Sequence, residues 1–235
     1  MKTKFIAFVM GLLLASGAMA ADSGGNSVYI DQTNADNSTV SITQAGSGNS
    51  FGDPNSLTNP QFTIDGNNMS LTVSQDGMMN SITGNFIGGD STANISQVGN
   101  LNTTNLNFGS SGSNGGTLGI SINGNSNTTG LNIGTTHDAS NYNYSLTIGS
   151  GSASSDSNSV TSTINSRNVT TAISITGGNG NTVTTNQSGA SGNSLTINNI
   201  GAGNTISATQ NGVTNPNSAT INVTGNNASV SVIQH

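Results

Sequence analysis

Seven glutamines close runs of alternating small apolar residues, a spacing suited to hydrogen-bond chemistry between stacked amides. The runs are Val28, Ile30, Gln32; Val40, Ile42, Gln44; Leu71, Val73, Gln75; Ala93, Ile95, Gln97; Val183, Thr185, Gln187; Ile206, Ala208, Gln210; and Val230, Val232, Gln234. A carboxamide donates and accepts, so identical amides piled along one axis satisfy each other. A buried amide left unmet costs about 1–3 kcal/mol, which makes such a column worth completing. Acid–base chemistry has far less to work with. The nine acidic residues are all Asp and stand singly; His137 lies in a Thr-rich stretch, and His235 is the last residue. No nucleophile is placed beside a base, so no catalytic residue is assigned. Asp31, Asp53 and Asp76 are 22 and 23 residues apart but sit at different offsets from the nearest Gln, which argues against stacked carboxylates for Ca²⁺. Gly177, Gly178, Asn179, Gly180 and Asn181 read as a turn rather than a calcium repeat, and neither metal nor cofactor is expected.

The elements that must position these amides are strands. Period-two alternation with Ser, Thr or Asn between the apolar positions marks a strand with one buried face. Turns rich in Gly and Asn come next, as at Gly46 to Asn49, Gly99 to Asn100 and Gly189 to Asn193; Asn49, Asn100 and Asn193 join the glutamines as candidate ladder residues. Gln75 to Gln97 is 22 residues, Gln187 to Gln210 is 23 and Gln210 to Gln234 is 24, while Gln32 to Gln75 is 43, close to two periods. The spacing predicts an all-β fold, a β-solenoid with two strands per rung of about 22–24 residues and the glutamines stacked on one wall. About seventeen candidate strands make about eight rungs, each adding roughly 4.8 Å. Residues 101–156 lack Gln and have longer Gly/Ser/Asn runs, yet alternation persists at Leu118, Ile120, Ile122, at Leu131, Ile133 and at Tyr142, Tyr144, Leu146, Ile148. The middle third is therefore read as looser solenoid.

Residues 1–20 are set apart as a secretory signal peptide: Lys2 and Lys4 precede an apolar stretch at 5–14 and an Ala18, Met19, Ala20 cleavage pattern. Beyond residue 20 the chain carries a single cation, Arg167, which excludes a phosphate-neutralising surface and hence nucleic-acid binding. The apolar stretch is too short to span a bilayer, so membrane insertion is not expected. Cysteine is absent, so no disulfide holds the fold. Hydrophobic residues are 31% and charged residues 5%, a composition that favours stacked strands over a conventional core.

Ser38, Gln44, Gly46, Gly48 and Asn49 form an S-x5-Q-x-G-x-G-N pattern, and Gln187 to Asn193 repeats it with one residue added. In these residues, and in the closing run 228–234, the chain resembles the curlin repeats of bacterial curli. The resemblance covers about two thirds of the chain beyond residue 20 and is weakest in the middle; where the family places a second Gln, this chain has Asn199 and Val223. It implies a left-handed solenoid that polymerises end to end into extracellular amyloid for adhesion and biofilm matrix. The implied partners are further copies of itself, a nucleating subunit and an outer-membrane export pore. The expected organisation is a signal peptide at 1–20, curlin-like repeats at 21–100, degenerate rungs at 101–157 and curlin-like repeats at 158–235. Full-pattern strands close to both ends of the chain, with little gatekeeping charge, point to sticky edges. The competing readings are a non-polymerising adhesin and an ice-binding surface, the latter suggested by Thr161, Thr163, Thr182 and Thr184.

Overall fold

Alternating side chains and Gly/Asn turns wind the chain into a two-walled spiral. The computed structural model describes residues 24–33, 37–52, 62–66, 68–87, 90–107, 116–133, 143–149, 154–166, 168–189, 191–212 and 214–235. The signal segment, Asp53, His137, Tyr142 and Arg167 lie outside them. Among the described residues there is no helix.

Nine strands among the described residues build the first wall: Ser27–Val28, Ser50–Phe51, Ser81–Ile82, Thr103–Leu106, Thr128–Ile133, Ser159–Asn165, Thr182–Gly189, Thr205–Gly212 and Ser229–Gln234. Eight strand positions build the second: Thr39–Ser47, Ser70–Met78, the pair Thr92–Ala93 and Ser96–Val98, Ile122–Asn123, Asn143–Ile148, Thr170–Thr176, Ser194–Ile200 and Ser218–Thr224. The chain visits the walls alternately, and every pairing within a wall is parallel. A small sheet of Ile30–Thr33 and Phe62–Asp65 continues from the two lowest strands of the first wall. Among the described residues of 101–157 both walls continue, since Thr128–Ile133 pairs with strands on both sides and Asn143–Ile148 pairs onward to Thr170–Thr176.

The core lies between the walls and takes every second residue. Val160, Ser162, Ile164, Ile173, Ile175 and Ile197 are buried, while Thr161, Thr163, Ser174 and Asn198 between or beside them face outward. Near the lower end the core is aromatic, with the Phe51 and Phe62 rings stacked at 4.3 Å. Tyr144 is wholly enclosed, and that burial pushes its phenol well above the ordinary pKa, against a weaker opposing pull from the Ser162 hydroxyl.

The two sides joining the walls differ. From second wall to first the link is a five-residue turn, as in Gly46 to Ser50, Gly77 to Ser81, Gly99 to Thr103 and Gly201 to Thr205. From first wall to second the separations vary widely, and this variation produces most of the spread in repeat length.

Candidate self-assembly ladders and open ends

The glutamines form two ladders, on opposite walls and at opposite ends. On the second wall Gln44 Nε2 donates to Gln75 Oε1 at 2.7 Å, and Gln75 Nε2 donates to Gln97 Oε1 at 3.0 Å. On the first wall Gln187 donates to Gln210 and Gln210 to Gln234, each at 2.9 Å. Spare amide valences reach across the rung. Gln75 Nε2 also donates to the Asn80 carbonyl at 3.1 Å, Gln97 Nε2 to Thr104 Oγ1 at 3.0 Å, and the Thr171 hydroxyl to Gln187 Oε1.

The register explains where each ladder stops. Beyond Gln97 the second-wall column continues as Ile122, Ile148, Ile175, Asn199 and Val223. The first-wall column runs Ile133, Ile164, then Gln187, Gln210 and Gln234. The expectation of one glutamine wall is therefore corrected. Gln32 stands opposite Ile64 on the first-wall side, not in line with Gln75, so their separation of 43 residues was not two turns of one column. A strand-to-strand step and a full rung cannot be told apart by residue counts when link lengths vary. Asp31 pairs with Thr63, while Asp76 lies between Ala45 and Val98, so these two carboxylates do not stack.

Asparagine supplies a longer ladder, in the five-residue turns. Asn26, Asn49, Asn80, Asn102, Asn127, Asn158, Asn181 and Asn204 succeed one another rung by rung, and all but Asn26 are essentially sealed from solvent. Each Oδ1 accepts the backbone N–H of the next residue in the column, and from Asn49 to Asn158 it accepts the next Nδ2 as well, at 2.9–3.1 Å. The column ends with Ala228 N–H on Asn204 Oδ1 at 2.8 Å. Asn49 belongs to it. Asn100 belongs instead to a more exposed column on the outside of the turn, receiving Met78 N–H and donating its own to Asn125 Oδ1, both at 2.8 Å. Asn193 sits on the variable side, where its Oδ1 accepts Asn217 N–H at 2.9 Å. Sequence reasoning missed most of this ladder, although a signal was present: each member from Asn49 onward directly precedes the Ser or Thr opening a first-wall strand.

At the ends the pattern stops in mid-stack. Ser229–Gln234 and Ser218–Thr224 have a paired neighbour on one edge only among the described residues, as do Ser27–Val28 and Thr39–Ser47. Val40, Ile42, Val230, Val232 and Ala219, on the outermost described strands, point into the core but remain partly exposed.

Gln210 tests the ladder directly. Its Nε2 also holds the Ser194 carbonyl at 3.0 Å. Gln210→Leu strands the Gln187 amide, and chemical denaturation should register a loss of about 1–3 kcal/mol. Thr209→Val, on the outward side of the same strand, should stay within about 0.5 kcal/mol. Equal losses would remove the ladder as a stabilising element.

Walls, turns and buried amide columns define the class: a two-walled parallel β-solenoid held by side-chain ladders. Comparison with protein-family models, curated proteins and solved structures finds no match to this chain.

Proposed function

We propose that this protein is a secreted structural subunit that self-assembles into curli-like extracellular fibres, serving adhesion and biofilm matrix. The observation that carries the reading is the pair of open ends. Among the described residues each has strands of both walls without a pairing neighbour on the outer edge, together with partly exposed apolar and Gln side chains that a further rung would bury. Exposed parallel edges of this kind template more strands, and stacked amides are a stabilising element of cross-β assemblies. The role is structural rather than catalytic. The basic, apolar and A-x-A segments at 1–20 support export, and the curlin-like residues around Gln44 and Gln187 support a dedicated pore and nucleating partner.

Seeding tests it. Purified protein beginning at Ala21 should polymerise after a lag into Congo-red-positive fibres. Preformed fibres should abolish most of the lag, and deletion of 228–235 should slow growth. A protein that stays monomeric for days with seeds present overturns the reading.

One observation favours a second reading, an ice-binding or adhesive face on a monomer. Ser27, Ser50, Ser81, Thr103, Thr128, Ser159, Thr182, Thr205 and Ser229 form a continuous outward column of hydroxyls on the first wall. The Thr pairs within strands do not build a grid, however: Thr161 stacks on Thr184, but Thr163 meets Asn186. A monomer showing thermal hysteresis would favour this reading.

A further inference from the structure

Among the described residues nine strands stand in one wall and eight strand positions in the other, so the outermost described strands at the two ends are half a rung out of step. After Ser229–Gln234 on the first wall, the next vacant position is on the second wall, above Ser218–Thr224. A second copy starts with its own first-wall strand, Ser27–Val28. To continue the spiral it must place that strand on the second wall of the copy below. We infer that successive copies add head to tail with a half-turn about the fibre axis, so that the first wall of each subunit runs into the second wall of the next. This rests on the self-assembly reading above and specifies its geometry.

Three features that are unexplained within one copy fall into line across this junction. The first is the division of the glutamines. Extending the existing registers seats Thr39 of the next copy on Ser229, which brings its Val40, Ile42 and Gln44 over Val230, Val232 and Gln234. The first-wall ladder Gln187, Gln210, Gln234 then passes directly into the next copy's Gln44, Gln75 and Gln97 as one column of six amides. The second is the short asparagine pair. Asn193 and Asn217 lie on the variable side at the upper end, away from the long asparagine column, and Asn217 Nδ2 is buried without a partner. The half-turn sets Asn26 of the next copy above Asn217, so the pair becomes the start of the long column. The third is the exposure of Val230 and Val232, which the incoming Val40 and Ile42 cover.

Stacking without rotation matches less. It lays the next copy's Ser27 on Ser229 and Gln32 on Gln234, but leaves one strand position empty on the second wall. Ser218–Thr224 would then stand two strand spacings, roughly 9.6 Å, from the next Thr39–Ser47, too far for backbone hydrogen bonds. Asn217 would remain unpartnered.

Cysteine pairs distinguish the two, because the chain has no cysteine of its own. Ser231, Ser41 and Tyr29 all face outward and are exposed. With the half-turn, Ser231 lies beside Ser41 of the next copy at one strand spacing, roughly 4.8 Å between Cα atoms, within disulfide range. Without it, Ser231 lies beside Tyr29. Protein carrying Ser41→Cys with Ser231→Cys, grown into fibres and oxidised, should give a covalent multimer series on a non-reducing gel. Protein carrying Tyr29→Cys with Ser231→Cys should give monomer. The reverse pattern, or fibres that cross-link through neither pair, overturns the half-turn while leaving self-assembly intact. Failure of the unsubstituted protein to form fibres overturns self-assembly itself, and the junction with it.

Discussion

Asn102→Leu should lower stability by about 3–5 kcal/mol, because two donors buried above it lose their only ladder acceptor. Asn102 is completely buried in the middle of the asparagine column. Its Oδ1 accepts both the backbone N–H and the Nδ2 of Asn127, at 3.1 and 3.0 Å, and its own Nδ2 reaches Asn80 Oδ1 at 3.0 Å and the Gly124 carbonyl at 2.7 Å. Leucine keeps the volume but removes every one of these contacts. Water cannot replace them, since the neighbouring Asn80 and Asn127 are equally sealed. Each rung touches only the next, so the damage should also uncouple the two halves of the solenoid and broaden the unfolding transition. Asn100→Leu is the control, two residues away. Its partners lie in the partly exposed outer column, where water can take over, and the expected cost is about 1 kcal/mol or less. Thermal and urea melts of the two variants compare them; similar losses would show that burial of the inner column does not matter.

The second large effect is expected at Gly99. Its φ of 113° is one that residues with a Cβ rarely adopt, and a Cβ built there would run into the backbone carbonyl of Gly124 on the next rung. The obstacle is main chain held in the stack, so it cannot rotate aside. Gly99→Ala should cost about 3 kcal/mol or more, combining strain with a forced separation of rungs. Gly180→Ala provides the contrast. Its φ of 68° is the ordinary left-handed region and the space around it is open, so about 1–2 kcal/mol is expected. If the two variants melted together, close contact between successive turns would not be what requires glycine at this position.

The strands themselves were legible from residue types. Leu71, Val73 and Gln75, or Ile206, Ala208 and Gln210, alternate with polar residues, and alternation is a local property that survives any arrangement of neighbours. The same reasoning carried through residues 101–157, where Leu131, Ile133, Leu146 and Ile148 proved to be buried wall positions. The asparagine column was half legible. The Asn-Ser or Asn-Thr step repeats before every first-wall strand but the last, which follows Ala228, yet in a chain so rich in these residues nothing distinguishes it until the rungs are superposed.

Alternation and turn glycines thus determined, from the sequence alone, that this protein is a stack of short strands with amides on the inward face. Which wall each strand joins was decided only by the tertiary structure. Wall membership depends on counting strands across links of unequal length, and on lateral pairing between residues 22–31 positions apart. A slip of one strand moves a glutamine from one wall to the other without changing its local pattern. Gln32 and Gln44 carry nearly the same motif, yet they stand in different sheets because they lie on successive strands.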